Sequence, residues 1–172
     1  MNYTEIKNST AYKQDRNCCT VVASSIAFDI PFDQMQEVFK IAIGRRKNAG
    51  TVFGEWVNKL AKTYNYKLEI FYKCGYGGEW SWWKNNKEIT SLNNRIKKVT
   101  NSSLTVATAE KVLTEGNYIL GCRGHVLALK NGIVEDWSKG SKRRIETIYK
   151  LTKLKRKKTK TKSQSKYDWS KY

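Results

Sequence analysis

The 172-residue chain has a single histidine, His125, and none of its four cysteines belongs to a Cys-x-x-Cys pair. Structural zinc sites are built from four cysteine and histidine ligands, usually at such short spacings. The composition therefore disfavours a structural metal site, and we expect neither a metal nor another cofactor. A single histidine also leaves only one candidate for an imidazole base.

No run of apolar residues approaches the roughly 20 that a membrane-spanning helix needs. The segment Met1–Ile6 also lacks the basic stretch followed by an apolar stretch that begins a secretory signal. We therefore expect no membrane span and a cytosolic location. In that compartment free thiols are expected rather than disulfides at Cys18, Cys19, Cys74 and Cys122.

Acidic residues are scarce, since 15 Asp and Glu stand against 33 Lys and Arg and give a formal charge of +18. Residues 139–166 hold 13 basic residues and one acid, a net charge of +12. Such a block attracts polyanions whatever their sequence, so we expect nucleic acid as the partner, with an anionic membrane surface as the alternative. The candidate nucleic-acid-binding residues are Lys153, Lys155, Arg156, Lys157, Lys158 and Lys160.

Length and composition predict one folded domain followed by a tail. A chain of 172 residues, 40% of them hydrophobic, is long enough to bury one core and short for two. The lysine-rich, low-complexity sequence from Lys153 onward predicts a disordered extension. We therefore assign residues 1–150 to a single domain and residues 151–172 to a basic tail.

The first half of the chain predicts helices. Residues 1–16 are polar and predict an extended segment, after which Asn17 is a candidate N-cap for a buried helix that begins at the adjacent cysteines. A second helix is expected from Pro31 to a stop near Gly44, and a third after Thr51 as its N-cap. Their apolar stripes, with i, i+3, i+4, i+7 spacing, are Met35, Val38, Phe39 and Ala42, and Phe53, Trp56, Val57 and Leu60.

The second half predicts an antiparallel sheet. Alternation with period two indicates a strand over residues 66–72, and the glycine- and tryptophan-rich residues 75–83 indicate a loop or hairpin. Thr105–Glu115 is expected to be a helix that stops at Gly116. Four further strands are expected at residues 118–122, 125–130, 133–137 and 145–149. The predicted fold is α+β, with N-terminal helices packed on a C-terminal antiparallel sheet.

Asn131-Gly132 is the strongest hairpin signal, and it allows a geometric prediction about His125. A two-residue turn there pairs Lys130 with Ile133, and the next positions on the same register bring Asp136 opposite Leu127. His125 lies two residues from Leu127, so it shares a face with Asp136. Diagonal neighbours on one face are roughly 7 Å apart, which a carboxylate and an imidazole can bridge.

A thiol, an imidazole and a carboxylate are the groups that a thiol hydrolase needs. A helix N-terminus and an adjacent imidazolium both favour the nucleophilic thiolate. The acid, Asp136, fixes the tautomer and orientation of the His125 ring. The backbone amide at the cysteine is a candidate oxyanion donor, assisted by the side chain of Gln14 or Asn17.

Several short motifs together carry a resemblance to a family. They are Arg16–Ala23, Ile26-Ala27, Pro31–Asp33, Gly44–Thr51, Gly116–Tyr118 and Gly124–Val126 followed by Asp136. In this arrangement the chain is similar to a group of small phage-encoded papain-like cysteine peptidases, over roughly residues 14–137. The resemblance implies a papain-like fold and puts Cys19 at the nucleophile position. Cys18 stands where the family has an acid, and it remains the alternative thiol.

Two hypotheses follow. The first is a phage-associated papain-like thiol hydrolase in which Cys19, His125 and Asp136 cleave a peptide or isopeptide-like amide of a protein or peptide substrate. Its tail would hold it to nucleic acid or to a phage assembly, in the host cytoplasm or the virion. The second is a noncatalytic nucleic-acid-binding or virion-associated protein that keeps the same scaffold.

Three further features are interpreted structurally. Cys74 and Cys122 are taken as plain core or surface thiols. Trp80, Trp82 and Trp83 are interpreted as packing in an irregular region, although a substrate groove or base stacking is the alternative. The loop 45–47 is interpreted as a solvated basic turn, with phosphate binding as the alternative.

Overall fold

The computed structural model describes residues 1–51, 54–73, 94–95 and 104–155. The helices whose bounds the structure defines are α1 (Tyr3–Asn8), α2 (Thr10–Lys13), α3 (Cys19–Phe28), α4 (Phe32–Ile43), α5 (Glu55–Thr63) and α6 (Val106–Val112). Five strands are defined there as well: β1 (Tyr66–Lys73), β2 (Asn117–Cys122), β3 (His125–Lys130), β4 (Ile133–Glu135) and β5 (Ile145–Lys153).

The extended segment expected over residues 1–16 is wrong, because α1 and α2 form there. Asn2 and Glu5 make a capping box in which the Asn2 side-chain oxygen Oδ1 accepts from the Glu5 backbone amide at 2.9 Å and Glu5 Oε2 accepts from the Asn2 backbone amide at 3.0 Å. Ser9 caps α2 by accepting from the Tyr12 amide at 3.2 Å. With six and four residues, these helices are too short for the apolar stripe of i, i+3, i+4, i+7 spacing that predicts a helix.

The three central helices are confirmed, while two of their predicted N-caps are wrong. Asn17 has a positive φ of 56° and precedes the N-cap residue, which is Cys18. Thr51 lies four residues ahead of α5, whose N-cap is Gly54. The stop of α4 at Gly44 is confirmed, since this residue adopts the left-handed conformation with φ 72°.

Most of the predicted apolar stripes are buried. Met35, Phe39, Trp56, Val57 and Leu60 are almost completely inaccessible to solvent. In α4, Phe32 takes part in the buried face and Ala42 is exposed, so the stripe lies one turn nearer the N-terminus than expected. Phe53 lies outside the described residues.

The sheet has five antiparallel strands in the order β1-β5-β2-β3-β4. The hairpin at Asn131-Gly132 is confirmed, with both residues at positive φ, 50° and 80°. Lys130 pairs with Ile133 as expected. The strand predicted over residues 145–149 is confirmed as β5. It is longer than expected, because it continues to Lys153, which pairs with Tyr66. The strand thus includes the first three residues that were assigned to the tail, and residues 156–172 lie outside the described part.

Two predicted boundaries in this region are wrong. The helix expected over Thr105–Glu115 ends at Val112, and Leu113 is its C-cap. The strand expected over residues 133–137 ends at Glu135, so Asp136 lies just beyond it.

The two faces of the sheet bury separate cores. Val126 and Ala128 of β3 lie in the core shared with α3, α4 and α5, and Leu127 and Leu129 lie in the second core, which includes α6. Neighbouring residues of β3 therefore face opposite layers, as strand geometry requires. The fold is α+β, with helices on a five-stranded antiparallel sheet. Among the described residues no helix is long and apolar enough to cross a membrane.

Candidate active site

Cys19 is the first residue of α3, and the packing of this helix on the sheet places Cys19 beside it. Nine of the ten residues of α3, all except Cys19 itself, are buried. The helix packs on β3, the strand that begins with His125. The burial of α3 therefore positions the N-terminus of the helix, and with it the Cys19 thiol, at the end of β3.

His125 and Asp136 meet as the hairpin register predicts. The His125 Nε2 atom lies 2.9 Å from Asp136 Oδ2, and both side chains are buried. The same carboxylate oxygen accepts from the Ser138 amide at 2.8 Å and from the Ser138 hydroxyl at 2.5 Å. Asp136 is thus fixed from two sides, and the contact through Nε2 leaves Nδ1 of the ring for the thiol.

The ionisation of Cys19 and His125 is coupled. Burial raises the pKa of the Cys19 thiol, but the hydrogen bond to His125, the backbone amide of Val126 and the charge of His125 outweigh it, so the net pKa is lowered. Burial lowers the pKa of His125, but its hydrogen bonds to Asp136 and Cys19 and the charges of both raise it to about 9. These directions favour a thiolate beside an imidazolium, which is the reactive form of a thiol nucleophile.

Cys18 is in a different environment although it is the neighbouring residue. Its side chain is buried, and burial together with the charge of Asp15 raises the pKa of its thiol to about 11. Cys122 is also buried, and burial raises its pKa to about 11. Of the three described thiols, Cys19 is therefore the one whose environment favours the thiolate. Cys74 lies outside the described residues.

Trp137 covers one side of the histidine. Its ring centre lies 5.0 Å from the ring centre of His125, and 58% of the residue is exposed. The guanidinium of Arg143 lies 5.2 Å from the centre of the Trp137 ring. The indole thus contacts the imidazole and also keeps a cation near the site.

No protein-family model, curated protein or solved structure matches the chain.

A buried ion pair holds the segment that leads into the two cysteines. Arg45 Nη1 donates to Asp15 Oδ2 at 2.7 Å, and Nη2 donates to Asp15 Oδ1 at 3.0 Å. Asp15 also accepts from Gln36 Nε2 and from the Asn48 amide, each at 2.8 Å. Asn48 also bonds to the next residue of this segment, because its Oδ1 accepts from the Arg16 amide at 2.6 Å. The basic loop after α4 is therefore tied to residues 15 and 16.

The sequence did not predict this role. The interpretation of residues 45–47 as a solvated turn is wrong for Arg45, which is buried, whereas Arg46 and Lys47 are exposed. Nothing local distinguishes Arg45 from its two basic neighbours. Its partner is 30 residues earlier in the chain, so only the folded structure identifies the pair.

A cavity of about 450 Å³ lies around the site and is lined by Cys19, His125, Asp136 and Asn17, among others. The two predicted oxyanion helpers are in different places. Asn17 lines this cavity, but its Nδ2 donates to the Asn48 carbonyl at 3.2 Å. Gln14 lines a separate cavity, together with Gln36 and Lys40. The structure therefore brings the triad together and does not bring Gln14 to it.

The predicted nucleic-acid-binding residues are only partly described. Lys153 is in β5, exposed, with its Nζ 5.9 Å from the ring centre of Tyr66, and Lys155 is exposed just after the strand. The remaining predicted tail residues, Arg156, Lys157, Lys158 and Lys160, lie outside the described residues, as does the tryptophan cluster within 75–83. In the described ranges no group of three or more His, Cys, Asp or Glu side chains is placed to hold a metal ion.

Proposed function

We propose that the protein is a thiol hydrolase that cleaves a peptide or isopeptide-like amide, with Cys19 as nucleophile, His125 as base and Asp136 as the residue that orients the base. The observation that carries the proposal is that the only histidine is paired with Asp136 and shares a cavity with Cys19. His125 Nε2 is 2.9 Å from Asp136 Oδ2, and the half-buried Cys19 thiol at the N-terminus of α3 lines the same cavity as the ring.

These residues account for each step of amide cleavage. The Cys19 thiolate attacks the carbonyl carbon, and the oxyanion that forms lies near the first turn of α3, whose amides have no acceptor within the helix. The His125 imidazolium then protonates the leaving amine as the C–N bond breaks, which leaves a thioester on Cys19. His125 next takes a proton from a water molecule that attacks the thioester, and the carboxylic acid product leaves.

The arrangement of elements supports a papain-like scaffold for this chemistry. A helix that begins with the nucleophile packs on an antiparallel sheet whose strand begins with the base, in the chain order Cys, His, Asp. The phage-associated role, in the host cytoplasm or the virion, belongs to the same proposal and rests on the sequence motifs alone.

Cys19→Ala and Cys18→Ala form a matched pair for the test, because they are adjacent and remove the same atom. A thiol-reactive peptide electrophile is expected to label the wild-type chain and Cys18→Ala at one site, identified by mass spectrometry, and to leave that site unlabelled in Cys19→Ala. Hydrolysis of a fluorogenic peptide pool is expected to fall with Cys19→Ala, and by about 100-fold or more with His125→Gln. Unchanged labelling or hydrolysis in a folded Cys19→Ala protein contradicts the proposal.

The second candidate, a noncatalytic nucleic-acid-binding or virion-associated protein, is favoured by one observation, the charge of +12 over residues 139–166. Because β5 runs to Lys153, the truncation that tests it should remove residues 156–172 and leave the sheet intact. Salt-dependent binding of a labelled oligonucleotide is expected to fall sharply on truncation. Binding that survives truncation unchanged contradicts a role for the tail, and hydrolysis that persists in the truncated chain favours the enzyme.

A further inference from the structure

The cavity around Cys19 carries more cationic than anionic side chains. Lys13, Arg16 and Arg143 line it, and among the residues that the structure describes the carboxylates that line it are Asp15 and Asp136. The thiolate and the imidazolium compensate each other, so the charges of the remaining lining residues decide what kind of ligand the cavity attracts.

Both carboxylates are already engaged. Asp15 receives two hydrogen bonds from Arg45, and Asp136 holds His125 and Ser138. A buried carboxylate held in this way has little capacity left to neutralise a more distant cation. The three lining cations are therefore not compensated by the acids of the cavity.

The cations are exposed, and within the described part of the chain none of them forms an ion pair with a carboxylate. Arg143 is the best positioned of the three. Its carbonyl accepts from the Val106 amide at 3.0 Å, which fixes its backbone, and its guanidinium lies over the Trp137 ring, whose centre is 5.0 Å from that of His125. The Trp137 ring thus contacts both this guanidinium and the imidazole of the proposed base.

We propose that the cavity recognises an acidic peptide, with a carboxylate side chain close to the scissile amide bound by Arg143 and attracted by Lys13 and Arg16. This inference rests on the proposed function and names its substrate class. A guanidinium presents parallel N–H donors that match the two oxygens of a carboxylate. The ring of Trp137 offers an apolar surface for the adjoining part of the peptide.

Alkylation of Cys19 by two reagents of similar size measures this preference without any substrate. Iodoacetate is anionic and iodoacetamide is neutral, and both react with the same thiolate. We expect the ratio of the iodoacetate rate to the iodoacetamide rate at Cys19, resolved by mass spectrometry of the intact full-length chain, to exceed that of a free cysteine peptide. Added salt should reduce the excess, because the cations are exposed.

Arg143→Gln and Lys142→Gln separate a local effect from the overall charge of the chain. Each removes one positive charge, they are adjacent, and Lys142 does not line the cavity. Arg143→Gln is expected to lower the ratio by roughly threefold, the scale of one exposed charge pair, and Lys142→Gln by clearly less. Equal effects of the two substitutions, or a wild-type ratio no higher than that of the free peptide, overturn the proposal.

A panel of quenched peptides that differ only by Asp or Asn at each position tests the substrate class. An Asp preference in kcat/KM at one or two positions, reduced in Arg143→Gln and retained in Lys142→Gln, supports it. Equal cleavage of Asp and Asn peptides overturns it. If no peptide is cleaved, the proposed function fails and the acidic-peptide assignment falls with it, while the alkylation ratio still reports whether the cavity attracts anions. Protection of Cys19 by an oligonucleotide and not by acidic peptides, in the chain without residues 156–172, also overturns it.

Discussion

Replacement of Asp15 by asparagine should strongly destabilise the protein, although the residue has no role in the chemistry. The side chain is 1% exposed and accepts hydrogen bonds from Arg45, Gln36 and the Asn48 amide. Asparagine keeps the volume but leaves the buried Arg45 guanidinium without its counter-charge. Loss of one partner of a buried ion pair costs about 3–5 kcal/mol, so we expect a decrease of about 3 kcal/mol in the free energy of unfolding.

Urea unfolding followed by tryptophan fluorescence and far-UV circular dichroism measures this decrease. Arg45→Met should show a similar loss, and the double variant should lose less than the sum of the two single variants, because each removes the same interaction. The control is Lys40→Ala, which breaks the exposed pair with Glu37 and should change the free energy by less than about 0.5 kcal/mol. A loss below about 1 kcal/mol in Asp15→Asn would refute the reasoning.

The effect should depend on pH in a defined direction. Burial raises the pKa of Asp15, but the hydrogen bonds from Arg45, Asn48 and Gln36 outweigh it and lower the pKa below its ordinary value of 3.8. A lowered pKa in the folded state adds stability that is fully present above pH 3.8 and is lost as the pH falls through the folded value. The difference between the wild type and Asp15→Asn should therefore shrink in acid, and a difference that grows there contradicts the assignment.

Three other predictions concern the site and the hairpin. As the only histidine, His125 gives a resolved NMR titration, whose midpoint is expected near pH 9 and lower in Asp136→Asn, because the carboxylate stabilises the imidazolium; an unchanged midpoint would count against the pair. The rate of iodoacetamide reaction at Cys19 should rise with pH, with an inflection below the ordinary thiol pKa of 9.0. His125→Gln should move that inflection to higher pH, and mass spectrometry of samples alkylated over a pH series measures both. Gly132→Ala should lower the free energy of unfolding by about 1 kcal/mol or more in urea, since φ is 80° and a Cβ would lie 3.0 Å from the Thr114 carbonyl oxygen.

Much of the fold was predictable because its signals are local. Asn131-Gly132 fixes a tight turn, and the turn fixes which residues of β3 and β4 are opposite each other. The contact between His125 and Asp136 follows from that register over 11 residues of sequence. The boundaries that were wrong include the early end of α6, which stops at Val112 with the fully buried Leu113 as its C-cap.

The sequence alone determined the types of the candidate groups and their order, and it placed His125 and Asp136 on one face, because strand alternation and turn geometry are properties of neighbouring residues. Only the tertiary structure shows which of the two adjacent thiols has an environment that favours the thiolate. Burial and the charge of Asp15 raise the pKa of Cys18, whereas contact with His125, more than 100 residues away in the chain, lowers that of Cys19. Such long-range contacts depend on how the helices pack on the sheet, and no local pattern encodes them.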